Sequence, residues 1–275
     1  EATDAQLLKS FDSDGFTLGT NAGVNGNTET YVAWCWKAGG SPSNNSDGTI
    51  TSSVSANTTA GFSIVSYTGT GTDSDTIGHG LGVAPKMIII KRKDNGSGGT
   101  NWRVWHKSLS DTKTLELNGD GAEGTQSDVF DTSSPPTSSV FRPNNHVSVN
   151  TSGGTYVAYC WSEVEGYSKI GTYHGNGDSN GTTVYTGFKP AFIMVKNIEA
   201  SGDWVIIDNK RTTGNPNAKG LHANQDIVEY NTDTWIDILS TGWKFRTVGT
   251  DYNATNQKYI YLAFAESPTK YSNPV

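Results

Sequence analysis

The sequence predicts an all-β protein: tandem, jelly-roll-like β-sandwich repeats of about 100 residues, preceded by a partial repeat. Three observations lead there. Short apolar stretches alternate with turn residues, and Gly alone accounts for 32 of 275 positions. One six-residue aromatic pattern occurs three times. A longer set of motifs occurs twice, in the same order and at a near-constant offset.

The threefold pattern reads Tyr31-Val-Ala-Trp-Cys-Trp36, Tyr156-Val-Ala-Tyr-Cys-Trp161 and Tyr259-Ile-Tyr-Leu-Ala-Phe264. Apolar and aromatic residues at every position of so short a run predict a buried strand. Upstream of each copy sits a second match: Gly15-Phe-Thr-Leu18, Ser139-Val-Phe-Arg142 and Gly242-Trp-Lys-Phe245.

The twofold set is longer. Gly82-Val-Ala-Pro-Lys-Met-Ile-Ile-Ile-Lys91 matches Gly187-Phe-Lys-Pro-Ala-Phe-Ile-Met-Val-Lys196, and Asn101-Trp-Arg-Val-Trp105 matches Asp203-Trp-Val-Ile-Ile207. Tyr67 precedes Tyr173 by 106 positions, Pro85 precedes Pro190 by 105, Trp102 precedes Trp204 by 102, and Tyr156 precedes Tyr259 by 103. Chance similarity among Gly/Thr-rich stretches does not preserve order and spacing together. The period is far above the roughly 20–50 residues of a solenoid repeat and suits a self-contained sandwich.

Four segments follow in chain order. Residues 1–38 read as the last third of a first repeat, residues 39–60 as a Gly/Ser/Thr-rich linker, residues 61–163 as one sandwich, and residues 164–275 as another. Strands lacking the rest of their sandwich leave an edge and an apolar face open. Either residue 1 lies inside a longer chain, or these strands complete a sheet with another subunit. Each unit is expected to bury its recurrent aromatics in a separate interior.

Composition narrows the function. The 8 Trp, 12 Tyr and 9 Phe give aromatic mass for a core, against disorder. A net charge of −7 with no basic run beyond Lys91-Arg92-Lys93 argues against nucleic acid as a partner. The longest apolar run, Met87-Ile-Ile-Ile90, falls far short of the roughly 18 residues a membrane helix needs, so no membrane insertion is expected.

No catalytic constellation is legible, and an enzyme is not expected. Cys35 and Cys160 hold the place of Ala263 in the third copy, which reads as small buried filler rather than as nucleophiles or a disulfide. His79, His106, His146, His174 and His222 fall into no metal-ligand spacing, and no metal residue is assigned. Asp12-Ser-Asp-Gly15 and Asp73-Ser-Asp75 resemble the opening of a calcium loop, but Gly23 stands where the first would need its twelfth-position Glu. Calcium held by loops is the one cofactor left open. Binding chemistry, if present, falls to aromatic rings, on which sugars stack their C–H faces. Tyr230 and Tyr252 lie among Asn, Thr and Asp and are the leading ligand contacts, with Trp235 and Trp105 as further candidates. Trp235 aligns with Phe130, which also suits a core position.

Several of these motifs resemble a family of repeated β-domains in bacteriophage virion and tail-fibre proteins, especially those of marine phages. The matching stretches are Ser10–Gly19, Tyr31–Gly40, Asp47–Phe62, Gly78–Met87 and Tyr185–Phe192. The resemblance implies a virion location at the particle surface, and a structural or adhesive role in a tail fibre or receptor-binding component. It further implies self-association, most simply as a trimer, with other virion proteins and host cell-surface glycan as partners. A free carbohydrate-binding module and a polysaccharide depolymerase are the alternatives. On this reading the Asn-x-Ser/Thr sequons, at Asn44, Asn57, Asn95, Asn150, Asn180 and Asn253, are by-products of composition.

Overall fold

The computed structural model describes residues 4–94, 101–131 and 133–268, with the side chains of 232 and 233 also set aside. Asn95 therefore lies outside the described residues. The protein is all-β, as expected. A hairpin of β1 (Leu8–Phe11) and β2 (Phe16–Leu18) and one helical turn, α1 (Ala22–Asn25), precede two eight-stranded antiparallel sheets.

The first sheet draws on β3 (Ser43–Asn45), β4 (Ser52–Asn57), β5 (Phe62–Thr68), β7 (Met87–Arg92), β8 (Arg103–His106), β9 (Lys113–Glu116), β10 (Gly124–Thr125) and β12 (Thr155–Trp161). A small pair, β6 (Ile77–Gly78) with β11 (Val140–Phe141), lies apart from it. The second sheet contains β13 (Ser168–His174), β14 (Thr183–Tyr185), β15 (Pro190–Asn197), β16 (Val205–Asp208), β17 (Asn217–His222), β18 (Tyr230–Leu239), β19 (Gly242–Phe245) and β20 (Lys258–Ala265).

The strand orders correspond. The first sheet runs β10-β9-β8-β7-β12-β5-β4-β3, and the second β13-β20-β15-β16-β17-β18-β19-β14. Read from opposite ends, β9-β8-β7-β12-β5 is the counterpart of β17-β16-β15-β20-β13, strand for strand. The β6/β11 pair answers to β14/β19. The recurrent motifs Tyr156–Trp161 and Tyr259–Phe264 form the second-from-edge or central strands β12 and β20, each hydrogen-bonded on both sides.

Successive side chains along these strands enter different cores on the two faces. Ile88 and Ile90 join Tyr156, Ala158 and Cys160 in a core private to the first unit. Ile193 and Val195 join Tyr259, Tyr261 and Ala263 in a core private to the second. The intervening residues meet in a third, shared core: Phe62, Met87, Ile89, Val104 and Trp161 from one sheet, Phe192, Met194, Ile206, Leu262 and Phe264 from the other. At about 1.5–3 kcal/mol per fully buried large apolar side chain, this layer holds the sheets together. The expectation of separate interiors is thus corrected. Strands β7 and β15 are apolar at consecutive positions because neither face meets water.

The contact uses equivalent positions on both sides. Met87 and Phe192 correspond, as do Ile89 and Met194, Val104 and Ile206, and Trp161 and Phe264. Buried polar contacts cross the same boundary. Trp204 Nε1 donates to Glu116 O at 2.8 Å, and Lys196 Nζ to Asp120 O at 3.2 Å.

Two further expectations need correction. Residues 39–60 are not a free linker: β3 and β4 pair onto the edge of the first sheet through β5. Val54 enters the private core, and Ser52 Oγ donates to Gly78 O at 2.9 Å. Hydroxyl-bearing residues fit such an edge strand, because their second face stays wet. Tyr31–Trp36 does not form a ladder-paired strand. It lies across the open side of the shared core, where Trp36 meets Phe192 at 5.2 Å, Phe264 at 5.5 Å and Trp161 at 6.4 Å between ring centroids. Equivalent residues of all three motif copies, Trp36, Trp161 and Phe264, converge there. Beneath this segment remains an apolar cleft of about 850 Å³ between the sheets.

Candidate functional site: an aromatic surface on the second unit

Tyr230 opens β18 and is 46% exposed. Its ring stands edge-on to Trp235 at 5.5 Å, and Trp235 stands edge-on to Tyr252 at 5.3 Å. The three rings thus bridge two loops, 223–229 between β17 and β18, and 246–257 between β19 and β20. Tyr252 is half-buried and stacks on Phe245 at 5.4 Å. Two glycines make room. A Cβ at Gly220 would collide with the Trp235 ring, and one at Gly249 would press on Tyr252. The surrounding loop tips expose Ile227, Val228 and Val248.

A polar set lies beside the rings. His222 packs against Tyr230 at 6.1 Å, and its Nδ1 stands 3.7 Å from Asp203 Oδ2. Asp203 Oδ1 accepts from Asn224 Nδ2 at 2.6 Å and Gln225 Nε2 at 2.8 Å. The Asp203 N–H donates to Asp251 Oδ1 at 2.9 Å. Partial burial would raise the Asp203 pKa. The two amide hydrogen bonds, with His222 and the Lys196 ammonium nearby, outweigh burial and hold it below the ordinary carboxylate value. The carboxylate is therefore ionised and fixed at neutral pH. An exposed ring flanked by fixed carboxylate, amide and imidazole groups can stack on the apolar face of a sugar while bonding its hydroxyls.

Of the four ring candidates, the structure unites Tyr230 and Tyr252 on this surface. Trp235 lies beneath them at 1% exposure, as a support that meets no solvent. Trp105 is 8% exposed in the private core of the first unit, far along the chain fold from this loop pair. Both are corrected from contacts to core. The alternation of β18 and the pairing of Trp235 with Phe130 carried the signal for the first. Reasoning from sequence missed Asp203, His222, Asn224 and Gln225, since their association depends on how β16 and β17 pair.

The remaining candidates have structural partners. Cys160 is buried in the first private core, and burial pushes its thiol up to about 12, which leaves it protonated. Cys35, expected to be buried likewise, is exposed. Asp12 accepts from Ser10 and Thr17 within the first hairpin, and Asp73 accepts the Asn145 N–H. Among the described residues no group of three His, Cys, Asp or Glu is placed to hold a metal ion.

The chain belongs to the family of the domain of unknown function DUF7483, whose model matches residues 1–268. No curated protein and no solved structure matches it.

Proposed function

We propose that this DUF7483 protein is a non-enzymatic structural and adhesive component of a bacteriophage particle, displayed at its surface in a tail-fibre or receptor-binding role. On this reading the Tyr230 surface contacts host cell-surface glycan. The observation that carries the binding half is the exposed Tyr230 ring, locked by Trp235 and flanked by the fixed Asp203 carboxylate. The virion half rests on the resemblance of the repeat motifs to phage virion domains. Sites of this kind are individually weak, and display in many copies on a particle raises avidity by roughly 10²–10⁴.

The test is a glycan array probed with the wild type and with Tyr230→Ala. The expected outcome is a defined set of glycans retained by the wild type and lost in the variant, with unchanged unfolding behaviour. An array that is blank for the wild type, or signals identical in the two proteins, overturns the glycan contact. Mass spectrometry of purified particles tests the location: a chain found only in the medium favours a free lectin-like module.

A further inference from the structure

The two units contribute equivalent residues to the shared core, and their hydrogen bonds confirm the correspondence. The Trp102 and Trp204 N–H groups donate to Asn118 Oδ1 and Asn224 Oδ1 at 2.8 and 2.9 Å. The two tryptophan carbonyls accept from the Leu117 and Ala223 N–H groups at 2.9 and 3.1 Å. Tyr159 faces Ile64 in its ladder as Leu262 faces Ile170. Burial does not follow this correspondence. Trp204, Leu262 and Ile170 are 1%, 2% and 0% exposed. Their counterparts Trp102, Tyr159 and Ile64 are only partly covered and line the apolar cleft of about 850 Å³. Trp204 Nε1 reaches the Glu116 carbonyl, whereas Trp102 Nε1 and the Tyr159 hydroxyl have no hydrogen-bond partner among the described residues. Where the first unit has Leu117, the second has the smaller Ala223, and both line the cleft.

We propose that the cleft is a binding site for a flat, uncharged, ring-containing small molecule that carries a hydrogen-bond acceptor. Its size is that of a ligand site. Protein interiors leave few voids larger than a water molecule, whereas small-molecule pockets run to roughly 300–1,000 Å³. Water fills such a space poorly, because apolar walls offer it few partners. The walls select the shape. Trp102 stacks with Tyr159 at 6.3 Å and 16°, Tyr159 with Trp161 at 6.2 Å and 26°, and Trp161 with Phe62 at 5.1 Å and 28°. A row of near-parallel rings is suited to stacking a further flat ring. The charged lining residues are Asp14 and Lys37, opposite in sign and both exposed, so a net charge on the ligand gains nothing from the pair. The two unused donors, Trp102 Nε1 and the Tyr159 hydroxyl, set the polar requirement, an acceptor. The inference does not rest on the glycan reading, since Tyr230, Tyr252 and Asp203 do not line the cleft.

The probe is prodan, a neutral naphthyl ketone whose emission moves to the blue in apolar surroundings. Titration of the intact protein should give a saturable, blue-shifted emission. Bound prodan should also slow thiol labelling of Cys35, which lines the cleft and is exposed, while buried Cys160 stays silent. Ala223→Leu restores the larger residue of the first unit at an exposed position and should weaken binding by about tenfold or more. Ala223→Ser should leave binding unchanged. Tyr159→Phe should weaken it about fivefold, the loss of one hydrogen bond. Methyl naphthyl ketone should displace prodan at lower concentration than methyl decyl ketone, an aliphatic ketone of the same carbon number. Emission that never saturates overturns the proposal. So does binding that ignores Ala223→Leu or leaves Cys35 labelling unslowed, since that dye sits elsewhere. Displacement by the decyl ketone at equal or lower concentration overturns the flat-ring assignment, and an unchanged affinity in Tyr159→Phe overturns the hydrogen bond.

Discussion

Two buried tryptophans offer a controlled measurement of what the inter-sheet boundary contributes. Trp204 is 1% exposed in the shared core and donates Nε1 to the Glu116 carbonyl of the other unit at 2.8 Å. Trp243 is 0% exposed in a private core, and its Nε1 has no acceptor. Replacing each by Phe removes the same atoms. The cavity cost is about 1 kcal/mol in both. Trp204→Phe additionally loses a hydrogen bond, about 1 kcal/mol net, and leaves the Glu116 carbonyl with the Gly119 N–H alone, for a total of about 2 kcal/mol. Trp243→Phe instead deletes an orphaned donor, which offsets part of its cavity cost and leaves roughly 0–1 kcal/mol. Urea unfolding of both variants at one temperature measures the difference. Equal losses, or a larger loss for Trp243→Phe, would refute the claim that the inter-unit hydrogen bond stabilises the pair.

Because Phe62 to Phe264 share one core, the two units should unfold in a single transition by fluorescence and circular dichroism, and two resolved steps would contradict the coupling. Trp36→Ala should cost about 2 kcal/mol and increase binding of an apolar dye at the cleft, where the ring now meets Phe192 and Phe264. His106 gives a pH dependence. Burial, and then the charges of Lys107 and Lys258, lower its pKa from 6.5 to about 3. The unfolded chain takes up this proton near pH 6.5 and the folded chain does not. The stability contribution is therefore complete above pH 6.5 and declines as pH falls towards 3, by up to a few kcal/mol. His106→Gln should flatten that part of the curve, and an unchanged slope in the variant would assign the acid sensitivity to other groups.

The strands and the duplication were legible because both depend on local pattern. A six-residue apolar and aromatic run marks β12 and β20, and the Pro85/Pro190 and Trp102/Trp204 pairs keep their order. What was not legible depends on pairing over long distances. Tyr31–Trp36 carries the same local pattern as β12, yet lacks partner strands, so propensity alone could not fix its state. Residues 39–60 look like linker by composition, but the free edge of β5 recruits them. One signal for the shared core was available. Met87–Ile90 and Phe192–Val195 are apolar without alternation, the mark of a strand covered on both faces. In the candidate site, the rings were identifiable from their Asn/Thr/Asp neighbourhood. The carboxylate and amides beside Tyr230 were not, since they come from 203 and 222–225 and meet only through the β16–β17 register.

The use of matching residues on both sides of the inter-sheet contact bears on how the protein behaves when scarce. Two separate polypeptides joined by such a patch would fall apart on dilution, because their association is second order. Covalent tandem linkage makes the encounter intramolecular, with an effective concentration set by the short connection between Trp161 and Ser168. The paired sheets therefore persist in a single isolated molecule, whatever the abundance of its siblings.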